Sequence, residues 1–165
     1  MKILTRLIII SLVLGLASWV LIQVPSVQDR ILVAAFSAIG SASNNLPKED
    51  ALSAAVCGSR SPLPSPGRAE TCLLIAAGDD LFVVDIGDGS NDNLRSWNIN
   101  FRNIKAVLIT HLHSDHIADL PGLHQNAWVV GQRSSKLKVF GPEGIEQLTQ
   151  GVEMAYAHDY VFRNE

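Results

Sequence analysis

The sequence lacks an excess of basic residues, an internal repeat and any low-complexity tract. Its 165 residues include 13 lysines and arginines against 16 aspartates and glutamates, a net charge of −3. This balance gives no general electrostatic reason to expect nucleic-acid binding, although a basic patch can exist on an acidic protein. The absence of a repeat excludes repeat architectures, and the length allows one ordinary domain at most.

Cysteine is scarce, and the two residues present allow at most one intramolecular disulfide. Cys57 and Cys72 flank a proline-rich loop, and in an exported chain they could form a bridge across it. The alternative is two small buried residues that never meet, since the sequence does not give their Cα separation.

One long apolar run lies at the N-terminus, in "MKILTRLIIISLVLGLASWVLIQV". Lys2 and Arg6 precede the uncharged segment Leu7–Val24, the arrangement of a signal sequence. Its length is close to the ~20 residues that cross a bilayer, and no small-x-small cleavage site follows directly. We therefore predict a signal anchor at residues 1–24, with a cleaved signal peptide as the alternative. Residues 7–24 would contact the membrane.

The rest of the chain is predicted to lie outside the cytoplasm, on the periplasmic or extracellular side, or to be secreted if the signal is cleaved. Residues 25–53 predict an amphipathic helix and a linker, because apolar residues recur at helical spacing in Val27–Ser43 and Asn44–Leu52 is polar. Residues 54–165 then form the folded domain.

Strand and helix patterns alternate within that domain, which indicates an α/β architecture. The prolines and glycine of Val56–Pro66 predict a loop rather than a regular element. A hairpin is predicted from Thr71–Ala77 and Leu81–Asp85. Two further strands are predicted at Ile104–Thr110 and Leu137–Pro142, and a helix at Glu143–Tyr156.

Four metal-binding side chains follow the strand at Ile104–Thr110 within six positions, "HLHSDH". Imidazole and carboxylate groups are good ligands for zinc and similar metals, and α/β proteins place their sites at the carboxyl ends of strands. His111 and His113 project to the same side of an extended chain, while Asp115 and His116 fall where a helix would begin. The motif therefore predicts ligands for two neighbouring metals, and hydrolysis is a physical reason to pair them.

The stretch "THLHSDH" resembles the H-x-H-x-D-H signature of the metallo-β-lactamase superfamily. "LFVVDIGDG" looks like the earlier strand-plus-aspartate motif of that superfamily. The segment from His113 to Leu148 is similar to the branch that holds ribonuclease Z and the arylsulfatase-like phosphodiesterases. The resemblance implies an α/β fold, a four-layer αββα sandwich of which this chain holds the N-terminal half.

The same resemblance implies a role for each ligand. His111 and His113 would bind a first zinc ion, and Asp115 with His116 a second, with manganese or iron as alternative metals. Asp115 would also be catalytic by steering protons, and Asp85 would orient the ligand loop from outside the coordination shell. His124 and His158 each stand alone, and we expect ordinary surface or hydrogen-bonding roles for them.

Two departures from the family pattern stand out. The relatives have glycine at the position of Arg60 in an early glycine-rich loop, so Arg60 is strained if that position needs a positive φ, unless the loop differs. Arg60 and Arg68 are expected to be solvated, with contact to an anionic substrate as the alternative. The further ligands expected downstream have no counterpart after His116, so we expect an incomplete domain, with one apolar sheet face uncovered.

The resemblance implies a hydrolase that uses attack by metal-bound hydroxide: a phosphodiesterase, an arylsulfatase or a ribonuclease Z-like endoribonuclease. Because the predicted anchor faces outward, a small anionic ester is expected as substrate rather than nucleic acid. Two alternatives remain: an inactive, membrane-tethered remnant or interaction module, and a lactonase or β-lactamase-type hydrolase. Fold alone does not decide among them.

Overall fold

The computed structural model describes residues 2–40 and 51–164, so the predicted linker lies outside the described residues as far as residue 50. The chain divides into two compact units, Met1–Ile39 and Gly40–Glu165. The first contains helices α1 (Lys2–Ile22) and α2 (Pro25–Gly40). Pro25 opens α2, where its fixed φ and missing N–H carry no penalty.

A membrane-spanning helix at residues 7–24 finds no support in this unit. Within the described residues, no single helix is long and apolar enough to cross a bilayer. The segments Ile9–Ile22 and Pro25–Ile31 meet that criterion only as a pair, bent by 88°. The predicted location of the chain stays a prediction.

The second unit is built on a mixed five-stranded sheet with helices, which confirms the predicted α/β class. Its order is β1-β2-β3-β4-β5, with antiparallel pairing from β1 to β3 and parallel pairing from β3 to β5. The predicted hairpin is β2–β3, turning at Gly78 with φ of +59°. The strands are β1 Leu52–Gly58, β2 Cys72–Ala77, β3 Asp80–Val84, β4 Ile104–Leu108 and β5 Lys138–Phe140.

The helical segments of this unit lie in the connections between the strands and, after β5, in the rest of the chain. A 3-10 turn precedes β4, and a π-helical turn follows α5. The helices are α3 Ser90–Ser96, α4 Ser114–Ile117, α5 Leu120–Gln125, α6 Ile145–Ala155 and α7 Ala157–Asn164, with the 3-10 turn at Phe101–Asn103 and the π turn at Asn126–Val130.

The loop predicted from residue 56 is wrong over its first three residues, because Val56–Gly58 belongs to β1. That strand also begins at Leu52, before the predicted domain boundary at residue 54. It pairs with β2 from Leu52 opposite Ala77 to Gly58 opposite Cys72, with an irregularity after Val56. The prolines that suggested a loop begin only at Pro62, beyond the last paired residue.

The inner face of the sheet carries the hydrophobic core. Leu74, Val83 and Val107 lie opposite one another on neighbouring strands and are at most 1% exposed. Directly opposed residues share one face of a sheet, so these side chains form a continuous row. Leu94 of α3 and Leu123 of α5, both 0% exposed, belong to the same core.

The opposite face carries a second apolar row. Its members pair across all five strands: Val56, Leu73, Val84, Leu108 and Phe140. Val56 and Phe140, at the two edges, are 63% and 56% exposed. We call these five residues the open row. Contiguous apolar surface of this kind marks a face that a partner or another layer covers.

Cys57 and Cys72 are joined by a disulfide with a Cα–Cα distance of 5.0 Å. Both side chains are buried, and the bridge connects β1 to β2 at the irregularity in their pairing. It closes the proline-containing loop between the two strands, so that loop leaves and re-enters the sheet at a fixed point.

Replacing both cysteines with serine should lower the free energy of unfolding by about 3 kcal/mol, the entropic value for closing a loop of this length. The bridge spans 15 residues of sequence. Urea unfolding with and without dithiothreitol measures the effect. Reductant should lower the midpoint of the unmodified protein and leave the variant unchanged; a midpoint of the unmodified protein that ignores reductant would contradict the bridge.

Candidate metal centre

Asp85 is the residue that organises the end of the parallel strands. It follows β3 directly, is 3% exposed and has a left-handed backbone with φ of 56°. Aspartate tolerates this region better than most residues. Its N–H donates to the Leu108 carbonyl at 2.9 Å. Its carboxylate accepts from the N–H and the hydroxyl of Thr110, both at 2.8 Å.

The same carboxylate also contacts the histidine within the single turn of α4. His116 Nδ1 lies 2.8 Å from Asp85 Oδ2. A carboxylate only accepts, so Nδ1 carries a proton, and in the neutral ring Nε2 is the acceptor. That nitrogen lies 3.5 Å from Oδ2 of Asp115, which is 6% exposed. Asp115 and His116 thus present an oxygen and a nitrogen side by side.

The first two histidines form a second pair through Thr110. Because the Thr110 hydroxyl donates to Asp85, it accepts from His111 Nδ1, 3.1 Å away. In the neutral ring His111 Nε2 is then the acceptor, and it lies 3.1 Å from His113 Nδ1. Two nitrogens bound to one tetrahedral zinc ion lie about 3.3 Å apart, so this pair has the spacing of shared ligands.

These two pairs do not merge into a complete site. Over residues 2–40 and 51–164, no group of three or more histidine, cysteine, aspartate or glutamate side chains is arranged to hold one ion. The His111 and His116 rings are nevertheless close, with centroids 3.9 Å apart. The donor atoms fit a metal as two adjacent half-sites, and the ligand roles of the four residues stay predictions.

Backbone contacts fix the ligand loop against the turn after β3. Ile86 N–H donates to the His116 carbonyl at 2.8 Å, and Asp119 N–H donates to the Ile86 carbonyl at 3.0 Å. A Cβ on Gly87 would lie 2.1 Å from the Asp115 carbonyl oxygen. Only glycine therefore allows the turn to approach the ligand loop this closely.

Sequence reasoning missed the role of Thr110. Its place between a buried strand and the first histidine was visible, but its link to Asp85 depends on β3 and β4 being parallel neighbours. A hydroxyl residue directly before the histidine motif is the signal that could have found it. The structure brings Asp85, Thr110 and the four predicted ligands together.

Arg60 is neither strained nor solvated. The non-glycine residues with positive φ in the described chain are Asp85, Asn98 and Gln132, so Arg60 is not among them. Its guanidinium contacts Glu70 at 3.2 Å and Asp88 at 3.1 Å, and its side chain is 19% exposed. The early loop thus has a conformation that suits arginine.

The two isolated histidines lie apart from this cluster. His124 packs edge-on against Tyr160, with ring centroids 5.8 Å apart, while His158 is exposed on α7. Burial lowers the pKa of His124, with a smaller opposing contribution from Glu153. Neither joins the metal-binding pairs.

The model of the metallo-beta-lactamase superfamily matches residues 65–163 of this chain. The chain belongs to that superfamily. Ribonuclease Z from Mycobacterium bovis (strain BCG / Pasteur 1173P2) is 35% identical over 108 residues, which cover 64% of this chain and 39% of that protein. The chain therefore spans about two fifths of the length of such relatives.

Solved structures agree on the fold. The metallo-beta-lactamase fold protein YhfI from Bacillus subtilis matches with a TM-score of 0.52 and 30% identity, over 60% of this chain and 40% of that one. Human tRNase Z, short form, matches with a TM-score of 0.57 and 23% identity, over 63% of this chain and 40% of that one. The second likeness supports the fold alone.

These relatives correct the prediction about the substrate. A small anionic ester was expected in preference to nucleic acid, on the strength of an outward-facing anchor. That prediction is wrong: the curated relatives of about a third identity are ribonuclease Z proteins, whose name specifies RNA. The chain is a superfamily member whose homologues are ribonuclease Z proteins.

Replacing Gly87 with alanine should destabilise the fold by about 1–3 kcal/mol, the usual cost of overpacking a close contact. The clash falls on the backbone of Asp115, which cannot rotate away. Gly151→Ala is the matched control, because a Cβ there meets nothing within 4 Å and alanine favours the helix. Equal urea midpoints for the two variants would contradict the close approach.

Asp119 makes stability depend on pH. Burial raises its pKa above 3.8, although its carboxylate accepts from the Asn91 N–H at 3.0 Å. The folded state therefore binds this proton more tightly than the unfolded state. As the pH rises above 3.8 and through the pKa of Asp119 in the folded state, the unmodified protein loses the stability that this proton contributes. The Asp119→Asn variant has no such proton to lose and keeps its stability.

Urea unfolding between pH 3.5 and 7 tests this, since the stability of Asp119→Asn relative to the unmodified protein should grow with pH. Asp79→Asn, at an exposed turn, is the control and should show no such growth. A pH-independent difference between Asp119→Asn and the unmodified protein would count against the assignment.

Proposed function

We propose that this chain carries the first metal-binding residues of a dinuclear zinc hydrolase that cleaves phosphodiester bonds in RNA. The observation that supports it most directly is the Asp85 carboxylate, which contacts both Thr110 and His116. His111 and His113 would hold one ion, and Asp115 with His116 the other. When bound, the metals supply Lewis acidity and generate a nucleophile from water near neutral pH.

The residues of the chain have separate tasks in this proposal. Asp85 fixes the tautomer of His116 directly and that of His111 through the Thr110 hydroxyl, so both Nε2 lone pairs face the site. Buried Asp115 offers a carboxylate oxygen that can hold a proton beside the scissile phosphate. His113 is exposed, which leaves this side of the site open to a large substrate.

RNA as the substrate is supported by the ribonuclease Z relatives, the same finding that overturned the small-ester prediction. Because the donor atoms form two pairs rather than a complete cage, we expect the 165-residue chain to bind zinc weakly and to lose it on dialysis. Binding measurements are therefore sharper than turnover for this chain.

Asp85→Asn should lower zinc affinity about 10- to 100-fold. An asparagine can present its N–H₂ to His116, and the tautomer of His116 is then no longer fixed. Histidine ring NMR signals followed during a ZnCl₂ titration measure the affinity. Fluorescence anisotropy of a labelled tRNA transcript, measured across the same zinc range, reports whether bound metal strengthens RNA binding. The zinc midpoint of that increase should move with the NMR midpoint.

Asp80→Asn is the matched control. Asp80 begins β3, the strand that Asp85 follows. Its side chain is 53% exposed and pairs with Lys105. It should change neither midpoint. Zinc affinity equal in Asp85→Asn and the unmodified protein would refute the metal role, and zinc binding with no effect on tRNA would refute RNA as the substrate.

A further inference from the structure

A cavity of about 510 Å³ lies beside α6, apart from the histidine pairs. Its walls come from α5 and the π turn, the loop before β5, and helices α6 and α7. This volume falls within the range of about 300–1,000 Å³ typical of small-molecule sites. The residues that matter for its chemistry are His124, Trp128, Arg133, Lys136, Glu153 and Tyr160.

Three rings form one side of the cavity. Tyr160 stands between His124 and Trp128, with ring centroids at 5.8 and 5.5 Å and interplanar angles of 78° and 85°. Edge-to-face contacts of this kind stabilise one another and hold the rings in place. The cavity therefore offers rings held in fixed orientations, which lowers the entropic cost of binding a planar ligand.

The charged groups of the wall are already engaged. Arg133 donates to the carbonyl oxygens of Ile104 and Ser135, and Lys136 pairs with Glu153. Burial lowers the pKa of His124, so near neutral pH its ring is uncharged, with one donor and one acceptor. Such a wall suits an uncharged ligand with its own donor and acceptor edge.

Helix α6 connects this cavity to the metal-binding loop. Val152 lines the cavity and also a second hollow of about 530 Å³. That second hollow is mostly apolar and extends to Leu112, the residue between His111 and His113. A chain-like substrate held at the histidines could therefore reach the cavity along one helix.

We propose that this cavity binds one unpaired nucleobase of a nucleic-acid substrate, stacked against Trp128 with its polar edge toward His124. A nucleobase is flat and uncharged, and it carries donors and acceptors on one edge. Aromatic side chains that stack unpaired bases are the usual means of holding single-stranded RNA. The choice of nucleic acid rests on the proposed function; the cavity and its chemistry do not.

Trp128 itself reports binding. In a Trp19→Phe, Trp97→Phe background it is the remaining tryptophan of the chain. Adenosine, which has no phosphate and cannot bind through charge, is the probe, and it should quench Trp128 fluorescence saturably without zinc. Trp128→Ala, assayed by equilibrium dialysis of labelled adenosine, should weaken binding about 5- to 150-fold, the measured range for one base–aromatic stack.

Thr149→Phe should abolish quenching by filling the cavity, since Thr149 lines it. Met154→Phe is the matched control: Met154 lies on the same helix but is 79% exposed, so adenosine binding should persist. Absence of saturable quenching, or loss of it equally in both variants, would overturn the proposal. Tighter binding of N-acetyltryptophanamide than of adenosine would also overturn it, in favour of a protein partner.

The zinc titration separates this inference from the proposed function. Thr149→Phe should leave zinc affinity unchanged, because Thr149 lines this cavity and is not among the residues lining the hollow that reaches Leu112. Zinc binding with no adenosine binding would refute the nucleobase cavity alone. Adenosine binding without zinc binding, or without a zinc-dependent increase in tRNA binding, would refute the proposed hydrolase and leave a base-binding cavity.

Discussion

A single buried carboxylate, that of Asp85, connects the ends of two parallel strands to the loop that carries the histidines. Its backbone N–H extends the β3–β4 pairing by one bond, to Leu108. Its two oxygens then hold Thr110 and His116, which lie six residues apart at the two ends of "THLHSDH". An unpaired buried carboxylate is costly, so the energetic penalty of losing any one of these donors keeps all of them in register.

The features that the sequence could predict are those defined by neighbouring residues alone. His111, His113, Asp115 and His116 are contiguous, and their order and their position after a buried strand define the motif without any tertiary information. The β2–β3 hairpin is equally local, because Gly78 supplies the turn between two apolar runs. Asp85 was assigned a supporting role by resemblance, and the structure shows its contacts with Thr110 and His116.

Features that depend on distant partners were missed for a physical reason. Strand β1 forms by pairing with β2 across a disulfide-closed loop, so local proline content misrepresented its end. Arg60 binds Glu70 and Asp88, partners 10 and 28 residues away, and the family's glycine at its position gave no hint of them. Thr110 likewise acts through a carboxylate 25 residues earlier.

The open row has a thermodynamic consequence for the site. Leu108 contributes its side chain to that row and its carbonyl oxygen to the Asp85 backbone bond. Any layer that packs on the open row therefore contacts β4, the strand that Thr110 and the histidines follow. By linkage, a layer that binds the open row only when β4 is ordered would stabilise the strand end at Asp85, and an ordered strand end would strengthen the binding of that layer.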